Sequence, residues 1–418
     1  MINTGETVYT DKLPPIDYEA FASDLKDLRL EVNANLSEAD FKHLKKIERW
    51  GKLCTLAGYL TAWIIPNPVS AFLISQGNIT RWAMITHHVS HRGYDKVPGV
   101  PARYTSKVYA QGKRRFLDWP DWMLPAAWNY EHNIMHHYHT GEIHDPDLVE
   151  KSFQPIREAK VPVFLKLFVV FFFMCTWKFL YYAPNTLWIL QQVKERKKLR
   201  RENSEIKLKE IMETVPPGKY PGVNLLLPIS RQGLEFWAKC VLPYGIYRFG
   251  LIPLLFLPFG YTAWFNVLVT SLLAELITNI HSYLIIVPNH CGDDLYRFDR
   301  PISDQPEFFV RQVVGSVNFS GGTDFKDFLQ GWLNYQIEHH LWPDLPMSKY
   351  REIQPQVEAI CKKHGVPYIK ENVFKRYWKM LELMLGKTSM LKTETLSRES
   401  RLAVKDLSSN VILAGNES

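Results

Sequence analysis

The sequence predicts an all-α membrane protein: about four transmembrane helices in two hairpins, with a cytosolic helical cap that holds a cluster of histidines. Three observations predict it. Two pairs of apolar segments, about 50–66 with 69–86 and about 240–258 with 262–287, are each joined by a short turn. Aromatic residues make up 13% of the 418-residue chain, while the mean hydropathy of −0.18 is too polar for a chain mostly embedded in lipid. Eight of the 14 histidines fall in three short runs outside the apolar segments.

Residues 1–48 read as a polar cytosolic segment whose last helix opens at Ser37, with Asp40 three residues on as a capping partner. No apolar run of signal-peptide type precedes it. The first two apolar segments are each about 17 residues, the short end for a span at about 1.5 Å per residue. Gln76, Asn78 and Arg81 in the second must face protein or a polar cavity. Residues 92–125 are basic, aromatic and punctuated by glycine and proline, as in an interfacial connector.

Residues 161–182 are strongly apolar, yet a fifth span there would put the last histidine run on the opposite membrane face from the others. Residues 161–190 are therefore expected to lie in the plane or re-enter, with Lys166 and Lys178 interrupting them and the aromatics of 168–182 anchoring at the interface. The basic run 194–212 is expected to be solvated. A helix near 306–317 precedes the third histidine run, residues 347–384 return as soluble helices, and 385–418 form a disordered tail after the domain at 49–384. The charge of +7 fits positive cytosolic loops, and no nucleic-acid partner is expected. Five isolated cysteines give neither a disulfide framework nor a thiolate zinc site.

The chemistry lies in the histidines. His87 and His91 are four apart and fall on one helical face. His88 stands between them. His132, His136 and His137 repeat the spacing with a neighbour, and Gln336 stands three and four residues before His339 and His340. His290 follows the fourth apolar segment beside Asn289. Eight imidazoles (His87, His91, His132, His136, His137, His290, His339 and His340) exceed what one tetrahedral zinc takes and suit two metals; iron, zinc and copper all accept imidazole. Two of the runs begin at or near the ends of spans, so the metals would face the buried chain of a lipid. An unactivated C–H bond needs an oxidising metal–oxygen species rather than side-chain acid–base chemistry.

These residues resemble the membrane fatty acid desaturase family, known by three histidine boxes. The resemblance runs from about 50 to 380 and is most specific over 314–346, from Ser316, Val317, Asn318 and Phe319 to Gln336, His339, His340, Trp342 and Pro343. Gln336 in place of the third box's first histidine resembles the front-end subgroup, which desaturates between an existing double bond and the carboxyl end. Asn289 and His290 resemble the additional ligand placed before the third box. The resemblance implies two iron ions, O2 as co-substrate, a lipid acyl substrate, and electrons from cytochrome b5 or ferredoxin. It also implies a multi-pass protein of the endoplasmic reticulum or bacterial inner membrane with its boxes facing the cytosol.

Three departures stand out. His88 occupies the place of the family's frequent aspartate, the second box is one residue longer than HxxHH, and no His-Pro-Gly-Gly cytochrome motif occurs. The electron donor is accordingly expected to be a separate protein. Asp145, Asp147 and Glu338 could orient ligand imidazoles, whereas His43, His139, His144, His281 and His364 are expected to stay outside the site. The alternatives are a di-iron hydroxylase or a desaturase of a sphingolipid, sterol or carotenoid and, from another class, a zinc-binding membrane receptor or lipid hydrolase.

Overall fold

The computed structural model describes residues 12–202 and 222–393. The expected tail beyond 393 and part of the basic run 194–212 lie outside the described residues.

Helix α1 (Tyr18–Ala34) is followed by α2 (Glu38–Ala62), which opens with the expected Ser37–Asp40 capping box but runs on into the first apolar segment as one rod. After a turn capped by Asn67, α3 (Pro68–Ile79) returns against it. Gly51, Gly58 and Gly77 line the crossing, and an added Cβ at each would run into Thr80, Ile74 or Thr55. Small residues let the two backbones approach where lipid offers no hydrophobic drive between helices.

Among the described residues, three helices are long and apolar enough to cross a membrane: α4 (Val163–Arg201), α5 (Arg231–Phe259) and α6 (Tyr261–His290). The last two coincide with expected spans. The expected spans at 50–66 and 69–86 lie in α2 and α3, which are not among the three: charged residues fill the first half of α2, leaving only its second half apolar. The stretch expected to lie in the plane or re-enter is an unbroken helix, and its mean hydropathy of 2.0 is the highest of the three.

The contacts of α4 show where it runs. Near its start, Lys166 Nζ donates to the carbonyls of Arg157 and Leu385 at 2.8 and 3.3 Å. At its middle, Trp177 Nε1 donates to Asn279 O at 3.0 Å and Asn279 Oδ1 accepts from Lys178 N at 3.1 Å. Asn279 lies in the second half of α6, towards His290, so α4 packs against the half of α6 nearest the histidines.

Several polar side chains within the bundle pair with one another across helices, as a lipid setting favours. Gln76 Nε2 lies 2.8 Å from His281 Nδ1, and Asn78 Nδ2 donates to Thr278 Oγ1 at 3.2 Å. Asn266 Nδ2 donates to the carbonyls of Trp63 and Ile64, both at 3.0 Å. The outward faces of α2, α4, α5 and α6 leave large apolar side chains exposed, among them Leu60, Phe168, Leu255 and Phe265. Such a belt marks a lipid-facing surface.

The cap is built from α1, α7 (Gln305–Val314), α8 (Gln336–Leu341), α9 (Met347–Lys363) and α10 (Val373–Met384). Buried Asp294 and Arg376 tie α10 to the loop after α6 at 2.6 Å. Residues 385–393 are ordered, against expectation. Leu391 and Lys392 pair as a short parallel strand with Tyr296 and Arg297, because backbone bonds such as Leu391 N to Leu295 O at 2.9 Å fix them.

Candidate metal centre

A widened helical turn delivers each of the first two histidine runs. Residues 80–86 and 131–136 are π-helical, so hydrogen bonds there close one residue later than in an α-helix. The His87 N–H bonds to Trp82 O and the His137 N–H to His132 O. The second case explains the long second box. The π turn absorbs the extra residue and brings His132 and His137 onto one face, as an α-turn would for HxxHH.

The imidazoles gather in two buried groups. His87, His91, His132, His137 and His339 form one, and His136, His290 and His340 the other, with ligand atoms within 4.8 Å of one another inside each group. The groups adjoin, for the rings of His137 and His340 stack at 4.2 Å between centroids. Asp147 joins His132 and His136 in a third, overlapping set. All eight sequence-predicted imidazoles are therefore brought together. His88 is in neither group: its Nδ1 lies 2.8 Å from Met84 O, and its ring contacts His87 and Tyr350. His139 pairs with Glu142 and His281 lies between Gln76 and Leu329 O, both outside the groups.

One nitrogen of many of these rings is held by the protein. The Nδ1–H groups of His136, His340 and His339 face Asp145 Oδ1 (2.9 Å), Gln312 Oε1 (2.8 Å) and the Tyr350 hydroxyl (3.2 Å). Those of His290 and His87 face the carbonyls of Gly315 (3.1 Å) and Ala83 (3.2 Å). Among the described residues, the opposite nitrogens of His339 and His340, their Nε2 atoms, are buried without a partner, as are Nε2 of His91 and both nitrogens of His137. Unpartnered, converging imidazole nitrogens, several on rings oriented through the other nitrogen, are what divalent metals require. The residues fit two such ions.

Electrostatics agree. Burial, reinforced by neighbouring imidazoles, holds His87, His91, His132, His137, His339 and His340 well below the ordinary histidine range. Neutral rings are the ligating form. His136 is the exception. Burial pushes it down as well, but the charge and hydrogen bond of Asp145 outweigh this and raise it.

Gln336 Nε2 lies 2.9 Å from His290 Nε2, and its Oε1 accepts from Asn289 Nδ2 at 3.2 Å, so both amides border the three-histidine group. Glu338 does not. Its carboxylate accepts from Asn318 Nδ2 and the Tyr368 hydroxyl, both at 2.8 Å, and burial raises it to about 7. It braces α8 from behind, a correction to its expected role. Gln312 and Tyr350, which orient ligand rings, carry no spacing signal that would have singled them out.

Beside the histidines lies an apolar cavity. Trp82, Trp128, Phe173, Trp177, Tyr182 and Ile286 wall it, and His87, His132, His136 and His290 edge it. Of the aromatics of 168–182, all expected at the interface, Phe173, Trp177, Tyr181 and Tyr182 line the cavity, whereas Phe168, Phe171 and Phe172 face outward. Trp82, Trp177 and Tyr182 pack together, with centroids 5.3–6.1 Å apart.

Comparison with known proteins points the same way. Over 117 residues the chain is 32% identical to the NADPH-dependent stearoyl-CoA 9-desaturase of Mycobacterium tuberculosis, covering 27% of each chain. Over 105 residues it is 37% identical to the Delta(8)-fatty-acid desaturase of Euglena gracilis, covering 24% of each. Over 71 residues it is 38% identical to the mouse fatty acid desaturase 2-like protein FADS2B, covering 17% of this chain and 14% of that one. The chain thus spans about a quarter or less of the length of these relatives. The family described as Fatty acid desaturase matches residues 61–372, which contain all eight clustered imidazoles and both amides beside them. On the extent of that match, the chain belongs to the fatty acid desaturase family.

Proposed function

We propose that this protein is an O2-dependent lipid desaturase of the front-end type that introduces a cis double bond into a fatty acyl chain. The observation that carries the reading is the pairing of the two imidazole groups with an aromatic-walled cavity at one end of the membrane helices. His87, His91, His132, His137 and His339 would hold one iron; His136, His290 and His340 the other, with Gln336 and Asn289 beside it. Two irons bound there supply the oxidising power that breaking unactivated C–H bonds demands. The balance is two hydrogens from the acyl chain, O2, two electrons and two protons, giving one double bond and two waters.

The chain's own residues do the rest. Trp128, Phe173 and Ile286 exclude water and hold the methylenes beside the imidazoles. Asp145, Gln312 and Tyr350 fix ring orientation and leave the other nitrogen free to ligate. Gln336 heading the third box supports the front-end type, and the relative named as a 9-desaturase marks the competing outcome.

Four spans, the apolar half of α2, residues 69–86, α5 and α6, with α4 lying across their cytosolic end, would keep all three boxes on one membrane face. That arrangement suits an endoplasmic reticulum or bacterial inner membrane, with electrons delivered by a separate cytochrome b5 or ferredoxin. The test is expression in a host of simple lipid composition fed candidate fatty acids, with mass-spectrometric location of any new double bond. A new bond between an existing one and the carboxyl end supports the reading. A hydroxylated product, or no product from a protein carrying two irons and supplied with a reducing partner, overturns it.

A further inference from the structure

Arg81 faces away from the acyl cavity. Trp82 and Ala83 line that cavity, whereas Arg81 and Ile85 line a second one of about 220 Å³, walled by α2, α3 and the connector at 103–118. Since one water needs about 10–15 Å³ by the same measure, this space admits a phosphoryl group with its waters.

Its charge is unbalanced. Lys52, Arg81, Arg103 and Arg114 line it against only Glu48 and Asp118, and both carboxylates are already engaged. Glu48 takes Lys52 at 2.8 Å, the Tyr104 hydroxyl at 2.9 Å, and Lys45. Asp118 takes both arms of Arg114 at 3.0 Å and the Ala110 N–H at 3.0 Å. Arg103 lies over the Tyr104 ring, 4.8 Å from its centroid. Among the described residues no carboxylate pairs with Arg81 or Arg103. Exposed Leu117 lines the cavity, and exposed Leu53, Leu56 and Phe116 adjoin its lining residues Lys52, Thr55 and Leu117 in sequence, an apolar rim that fits a lipid interface. A basic pocket between membrane helices, rimmed by apolar side chains, matches the headgroup of an acidic lipid.

We propose that this cavity binds a phosphoryl anion, neutralised by Arg81 and Arg103, that is presented by an acidic phospholipid. The site is separate from the metal centre and does not depend on the desaturase reading. The test is a titration of the detergent-solubilised full chain with a fluorescent phosphatidic acid, competed by unlabelled phosphatidic acid, phosphatidylcholine or inorganic phosphate. Phosphatidic acid is expected to compete and phosphatidylcholine not.

Arg81→Gln and Arg103→Gln should each weaken binding about fivefold, the equivalent of about 1 kcal/mol per basic residue. The Arg81→Lys/Arg103→Lys variant, which keeps both charges, should retain most of the affinity. Inorganic phosphate competing as well as the lipid would uphold the anion site while overturning the lipid as its source. Equal competition by phosphatidylcholine, or wild-type affinity in a folded double-glutamine variant, overturns the proposal. Should the glutamine variants not fold, the wild type decides alone: affinity that does not fall with rising salt overturns it.

Discussion

Asp145 Oδ1 lies 2.9 Å from His136 Nδ1, and both residues are almost fully buried. The carboxylate is itself fixed by the N–H groups of Gly141 (2.9 Å) and Asp147 (2.8 Å), so it cannot follow the ring if the ring turns. Asp145→Asn keeps the shape and removes the charge that raises His136. The expected result is a loss of about 10–100-fold in metal affinity or activity, the usual effect of removing a ligand's orienting partner. Metal content of the purified variant and its rate of double-bond formation check this. A variant unchanged in both would show that Asp145 does no more than shape the loop.

The two imidazole groups should be separable. His339→Ala removes a member of the five-histidine group, and His340→Ala and Gln336→Ala disturb the three-histidine group and its border. Each histidine variant should fall from about two irons per chain towards one and lose double-bond formation, while still inserting into membranes because no span is altered. Gln336→Ala should lose less iron than His340→Ala, since its amide is a weaker donor than imidazole. One zinc per wild-type chain would defeat the two-iron assignment itself.

Much of this site is legible in the residues alone. His290 stands alone, marked only by its place after the fourth apolar segment, but spacing picks out the other seven imidazoles, because helical periodicity converts sequence distance into a shared face. It cannot show Gln312 or Tyr350, whose side chains reach the rings from α7 and α9, elements distant in sequence and free of any repeating pattern. Nor does it settle which way Glu338 points: on a helix it is one step from His339 and two from His340, and its bonds to Asn318 and Tyr368 turn it away from the rings. The number of spans is the hardest feature to read. Hydropathy reads composition along one helix, whereas the path of α4 is set by its bonds to Asn279, Arg157 and Leu385.

The π turn in the second box carries its own prediction. Ile134 sits within it with an exposed side chain. Deleting Ile134 should convert the turn to α-helical and leave His132, His136 and His137 facing inward, so metal content should stay near wild type. Deleting Tyr130, just before the π turn, instead rotates the preceding helix by about 100° relative to the three histidines and should abolish binding. Equal loss in both deletions would mean that the widened turn is needed in its own right.

Trp82 separates the acyl cavity from a buried ion pair. Lys178 Nζ lies 2.9 Å from Asp121 Oδ2 and 4.4 Å from the Trp82 ring centroid. Truncation to alanine opens the cavity wall and costs about 3–5 kcal/mol of stability, as for other buried tryptophans. Product analysis with acyl chains of graded length should show longer or bulkier chains accepted by Trp82→Ala. An unchanged chain-length profile in a folded variant would place the limiting wall elsewhere.

His43, in the charged first half of α2 and outside its apolar segment, supplies a pH dependence away from the metal centre. Its ring packs edge-on against Trp332 at 4.5 Å, and among the described residues neither nitrogen has a hydrogen-bond partner. Burial, aided by the charge of Lys46, lowers it to about 4. An unfolded histidine titrates near 6.5, so between about pH 6.5 and 4 the unfolded chain binds the extra proton and the folded chain resists it. Stability therefore falls as pH drops through that window, by roughly 3 kcal/mol if the whole shift is expressed. His43→Gln should remove this component while leaving that of the clustered imidazoles in place. The difference in unfolding free energy between wild type and variant, measured in detergent across the window, isolates it. A difference that does not change with pH would show that the buried ring exchanges protons freely in the folded protein.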